Sequence, residues 1–168
     1  MLAIRTLPRS TAIGLVALRL YAGLFWMEKG IRQKLLDPHW VGPKGDCAFV
    51  INDMLTNAPG FYQAFLHTVV LPNITAFSVM VEWGETLIGV SLLLGLFSRI
   101  GATGGLLLVS NYFMGNGAGS LRDGWFGFDT TTFMMTALHV ILPTGLFFGL
   151  DALIRQRTGT DARRSAPT

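Results

Sequence analysis

Two carboxylates and an arginine stand in stretches that should be entirely apolar. Glu82 and Glu85 lie three residues apart in TAFSVMVEWGETLIGVSLLLGLF, Thr75 to Phe97, a run otherwise apolar and long enough to cross a bilayer. Arg19 holds a similar depth in the first apolar run. Ionisable groups at membrane depth are costly, so they turn to the bundle interior and pair with one another. Counted from one end of each helix, Arg19 lies roughly 12 Å in, Glu85 roughly 18 Å and Glu82 roughly 22 Å at helical rise. A guanidinium spans the first gap, and the three-residue spacing puts both carboxylates on one helix face. One arginine between two acids leaves a carboxyl to give and take a proton. Asn111 and His139 reach the same level from two further runs, and Pro143 removes the backbone bond to the His139 carbonyl, kinking the helix there. Arg19, Glu82, Glu85 and His139 form the candidate proton cluster, with Trp83, Asn111 and His139 as candidate cofactor contacts. Structural readings stay open beside these. A buried Arg–Glu pair can fix helix register, Asn and His can bond neighbouring helices, and Trp83 can simply pack. His139 has two functional readings, a proton relay or a ligand to a tetrapyrrole metal.

The elements that must position these groups are four apolar runs, about residues 10–30, 74–97, 99–115 and 130–150. Runs of this length cover a hydrocarbon core of about 30 Å, and in lipid only helices or closed barrels satisfy the backbone. The runs are continuous rather than alternating, so the fold class is an all-α integral membrane protein with a four-transmembrane-helix bundle. The Lys and Arg distribution sets its orientation. Arg5, Arg9, Arg99, Arg155, Arg157, Arg163 and Arg164 outnumber Arg32, Lys34, Lys44 and Arg122 on the other face, which puts N and C termini in the cytoplasm. Arg19 interrupts the first run, which is therefore a retained helix and not a cleaved signal peptide.

Residues 1–154 form one membrane domain and 155–168 a basic cytoplasmic tail. Between spans one and two, residues 48–70 read as an amphipathic helical insert split at Asn57-Ala58-Pro59-Gly60, with Phe61, Phe65, Leu66 and Val69 in a stripe. It should lie on the outer membrane surface or cap the bundle. Pro72 and Asn73 then start span two, Asp129 caps span four, and Trp26, Trp125, Phe126 and Phe128 sit in the aromatic belts. Gly101-x-x-x-Gly105 and Gly145-x-x-x-Gly149 offer close helix contacts.

The exclusions are as useful. The lone Cys47, a loop thiol by position, can make no intrachain disulfide, and no metal-ligand spacing, phosphate loop, dinucleotide fingerprint or haem-attachment motif occurs. The basic balance reports orientation and anionic headgroups, not nucleic acid.

RLYAGLFWMEKGIRQKL, Arg19–Leu35, and EWGETLIGVSLLLGLFSRIGA, Glu82–Ala102, resemble the two signature blocks of the DoxX/DoxD family. The resemblance implies a small four-helix protein, in some members a subunit of a thiosulfate:quinone oxidoreductase and in others a partner in redox-stress assemblies. It places Arg19, Lys34, Glu82 and Glu85 at the family's recurrent polar positions. The expectation is an integral subunit of a larger quinone-linked electron-transfer complex, respiratory or photosynthetic, in a bacterial inner membrane. There it chiefly scaffolds and lines a quinone path among lipids and other membrane subunits, with no covalently bound cofactor. The rivals are a quinone-reducing subunit in its own right, which the missing cysteine pair weakens for sulfur chemistry, and a small proton-coupled transporter.

Overall fold

The computed structural model describes residues 8–117, 127–142 and 144–155, and these contain helices and turns but no strand. Expectations for Arg5, Arg122, Trp125, Phe126, the ring of Pro143 and the tail beyond Arg155 lie outside the described residues. Helix α1, Arg9–Met27, continues without a break into π-helical turns over Glu28–Leu35. The charged residues there were expected to mark the exit into water. Their strong helix propensity carries the helix onward instead, and wide i→i+5 turns such as Leu36 N–H to Ile31 O (2.8 Å) reorient its last residues. Trp26, expected at an interfacial belt, is 1 % exposed, its ring packed where Gly105 leaves room.

The insert supplies α2, Asp46–Asn57, and α3, Gly60–Phe65. No separate start follows at Pro72. One π-helical turn, Leu66–Val70, and one 3₁₀ turn, Leu71–Asn73, absorb the missing proline N–H and lead straight into α4, Ile74–Leu94. Leu66 and Val70 join Trp40, Cys47, Met54 and Ile74 in a small core, while Phe61, Phe65 and Val69 face outward. The insert caps one end of the bundle by packing α2 on α4 and α5.

At the other end, Gly95 closes α4 in the left-handed conformation (φ 61°), and the Leu96 N–H returns to the Ser91 carbonyl at 3.0 Å. Helix α5, Ser98–Asn116, follows at once, and α6 covers Phe128–Ile141. Asp129 sits one residue inside α6, so Gly127 holds the cap position expected of Asp129. Leu142, the residue before a proline, is extended (ψ 138°), which ends α6 after 14 residues. A 3₁₀ turn over Thr144–Leu146 and a short helix over 150–155 follow.

Among the described residues, two continuous helices, Arg9–Leu35 and Gly60–Leu94, are long and apolar enough to cross a membrane. α5 and α6, shorter or less apolar, complete an antiparallel packing in which α1 lies on α4 and α5 on both α4 and α6. Gly30 and Gly89 set the α1–α4 register: a Cβ on Gly30 would stand 2.5 Å from the Thr86 N, and one on Gly89 2.7 Å from the Met27 N. Ala22, Trp26, Ile88, Leu92, Ala102, Val109 and Met135 fill the layer between these helices.

Candidate functional site

Following that register from Gly30 to the end of the π-helical turns brings Lys34 against the inward face of α4. Its Nζ donates to Glu85 Oε2 at 2.5 Å, and the ammonium also stands 4.9 Å from the Trp40 ring centroid. The second oxygen, Glu85 Oε1, accepts from the Tyr112 hydroxyl of α5 at 2.6 Å. Glu85 is 2 % exposed and Lys34 8 %. Both oxygens of a buried carboxylate are thus met by strong donors, one of them charged, which is the condition for keeping an ion in an apolar interior. Trp40 is itself held by its indole N–H on the Ser78 carbonyl (3.1 Å).

These groups form one wall of an open cavity of about 430 Å³ bounded by the end of α1, the insert, α4, α5 and the start of α6. The rest of the lining is mainly aromatic and aliphatic, with Phe25, Leu66, Phe77, Val81 and Leu108 among it. At the rim the Tyr62 hydroxyl donates to Asn111 Oδ1 (3.0 Å), and Lys29 Nζ, bonded to Gln33 Oε1 (3.0 Å), sits 4.6 Å from the Phe128 ring centroid. Cys47 is a buried helical residue of α2 on the cavity wall, not a loop thiol. Desolvation pushes its thiol up to about 11, with Lys34 opposing and Glu82 and Glu85 reinforcing the rise.

The cation expected between the carboxylates is replaced. Arg19 does not reach Glu82 or Glu85: its Nη1 donates to the Thr144 and Phe147 carbonyls at 2.9 Å each, and Nη2 to the Phe148 carbonyl at 3.5 Å. The depth count failed because α1 starts well outside the bundle. In the packed register Arg19 lies beside Gly95, ten residues or about 15 Å along α4 from Glu85. His139, fully buried, bonds through Nδ1 to Met135 O (2.7 Å) in the Arg19 region, away from the cavity. The expected four-helix polar knot is therefore two separate groups.

Glu82 does turn inward (6 % exposed), yet among the described residues its carboxylate has no hydrogen-bond or ion-pair partner. Asn111 reaches the cavity rim and also donates to the Leu107 carbonyl (2.7 Å). Trp83 is 49 % exposed and faces away from the cavity, since one residue beyond Glu82 is about 100° around the helix. Tyr112 escaped the sequence reading because a lone aromatic in a membrane run reads as packing, and Trp40 and Tyr62 because they stand outside the apolar runs, in a loop and in the insert. No group of three His, Cys, Asp or Glu suited to a metal ion occurs among the described residues.

Compared with known proteins, residues 15–165 match the family model described as TQO small subunit DoxD. No curated protein matches, and no solved structure does.

Proposed function

This chain belongs to the DoxD family, as a membrane subunit related to thiosulfate:quinone oxidoreductase, and we propose that it binds a quinone head group in the cavity beside Lys34, Glu85 and Tyr112. The observation that carries this reading is the cavity itself. At about 430 Å³ it falls within the roughly 300–1,000 Å³ of small-molecule sites, and it is apolar with convergent polar groups on one wall. A bound quinone supplies an acceptor of two electrons and two protons. The Lys34 ammonium, with a hydrogen beyond the one it gives Glu85, is the donor to a carbonyl oxygen, and Glu85, itself fixed by the Tyr112 hydroxyl, orients it. The Glu85 carboxylate supplies a proton-exchanging group on the wall, and Glu82 lies one helical turn away, behind the lining. Electrons come from a partner subunit, which the broad apolar outer faces of α1 and α4 fit, along with lipid.

In this reading α1, α4, α5 and α6 with its broken continuation are four spans of a single membrane domain, residues 1–154. Residues 155–168 form the basic tail, and the Lys and Arg asymmetry puts both termini on the cytoplasmic side of a bacterial inner membrane. The scaffolding role is the second reading, supported by the broad apolar outer faces of α1 and α4, which suit contact with other membrane subunits.

Titration of the purified protein in nanodiscs with a short-tailed quinone, read by tryptophan quenching, tests the proposal. Saturable quenching should fall in Trp40→Phe, with Trp26 on the same lining carrying the remainder, and Lys34→Gln should weaken binding about tenfold, the worth of one hydrogen bond to a charged or polarised group. Absence of saturable binding, or equal affinity after Leu108→Trp fills the cavity, overturns it.

A further inference from the structure

At the end of the bundle away from the cavity, α6 breaks at Leu142 and the chain folds back over the α4–α5 turn. We infer that this helix-break end is a lipid-contacting surface, sunk beneath the headgroups and covered by acyl chains, so that α1 alone carries on through the leaflet. The surface is independent of whatever occupies the cavity.

The first sign is what this end exposes. Phe148 is 84 % exposed, Ile100 71 %, Ile141 70 % and Phe97 59 %. They come from two helices and two connecting segments, yet all are large and apolar. The exposed Leu87 and Leu94, seven apart on one face of α4, run the same surface back along the bundle. Arg99 and Arg155, the cations exposed there, have stems long enough to lift their charge toward headgroups. The insert end is different in kind. There Glu28 pairs with Arg32 at the surface, and Lys44, Asp46, Asn52 and Asp53 are exposed.

The second sign is what this end hides. Helix ends leave backbone N–H and C=O groups that water ordinarily meets, whereas hydrocarbon requires partners from the protein. Here side chains supply them from one element to another. Arg19 donates to the Thr144 and Phe147 carbonyls at 2.9 Å each. Asp151 accepts from the Phe97 and Ser98 N–H groups at 2.7 and 3.1 Å, and the Ser91 hydroxyl donates to the Leu96 carbonyl at 2.7 Å. Gly95 and Gly149 make the arginine's reach possible, since a Cβ on either would stand 2.6 or 2.7 Å from Nη1. Phe97 and Phe148 meanwhile hold left-handed backbone (φ 49° and 50°), a strained state for bulky residues, at the points where their rings project. Charge turned inward and aromatic rings turned outward is an inversion that lipid selects and water does not.

α1 supplies the third sign. From Arg19 back to Ser10 it runs about 14 Å further at helical rise. That stretch is apolar, Ile13 is exposed, and Gly14 has nothing within 4 Å. An unpacked apolar helix of this kind belongs in acyl chains, which sets the hydrocarbon boundary between Arg19 and Arg9.

Spin labelling of the purified full chain in nanodiscs tests this. Phe148→Cys, Ile100→Cys and Ile13→Cys each carry one label, with Lys44→Cys as the aqueous control; Cys47 is buried and stays unlabelled. Labels at 148, 100 and 13 should be relaxed by dissolved oxygen, which concentrates in acyl chains, severalfold more than by a water-soluble nickel chelate. The label at 44 should show the reverse. Chelate dominance at 148 or 100 puts this end in water and overturns the inference. Protection from both agents means a protein cover, and overturns it too. Ile100→Cys, on a regular turn of α5, keeps the test decisive where Phe148→Cys does not fold.

Discussion

Glu85 is the residue on which the cavity wall depends, and its two contacts make the strongest prediction. In Glu85→Gln the Lys34 ammonium is left buried without its anion, so stability to denaturant titration should fall by about 3–5 kcal/mol. Replacing both partners, Lys34→Met with Glu85→Leu, should recover most of that loss while removing quinone binding. Cys47 reports on the same wall. With its thiol pushed up to about 11, the thiolate fraction at pH 8 is about one in a thousand, against roughly a fifth for a free thiol. Alkylation of the folded chain should therefore run about two hundred times slower than in denaturant, and should rise about tenfold per pH unit until about pH 11. The sign for stability follows: a pKa raised on folding means that the thiol's contribution is intact below its ordinary range and lost as pH climbs through about 11. At this scale the types of Glu82 and Glu85 were enough to read them as inward-facing. Their cation was not legible, since Lys34 looks like a helix-exit lysine until packing shows which way it bends.

Among the helices, the crossing of α1 on α4 decides everything downstream. Gly30→Ala would put a methyl against Thr86 backbone, which cannot swing aside as a side chain can. A loss of about 1–3 kcal/mol should follow, measured by thermal unfolding in detergent, together with weaker quinone binding as Lys34 is displaced. Gly14→Ala, where nothing lies within 4 Å, should cost nothing and serves as the control. The runs of apolar residues made the helices legible; their ends were not. Glu28–Leu35 and Leu66–Asn73 both continue as helix through π and 3₁₀ turns, and such adjustments leave no periodic mark in the residues. The early end of α6 was written in the Leu142–Pro143 pair, yet an apolar run beyond it read as more of the same span.

For the molecule as a whole, the helix-break end and the cavity should respond separately. Asp151 accepts from the Phe97 N–H (2.7 Å), the Ser98 N–H (3.1 Å) and the Ser98 hydroxyl (2.8 Å), tying the 150–155 helix to the start of α5. Asp151→Ala should lower stability by about 1–3 kcal/mol and leave quinone affinity unchanged, as distant sites without shared partners add independently. A parallel shift in affinity would show that the two ends are coupled. That the polar residues divide this way was hidden from a depth count along single helices, which takes no account of how far one helix slides past another. Between the two ends lies the apolar layer of Ala22, Trp26, Ile88 and Leu92. In an energised bilayer such a layer is an electrical insulator, and most of the voltage falls across it, about 2.3 kcal/mol per elementary charge for each 100 mV. On the proposed quinone reading, protons taken up at Glu85 would sit near the potential of the insert side, so turnover at the cavity would draw current from one face alone.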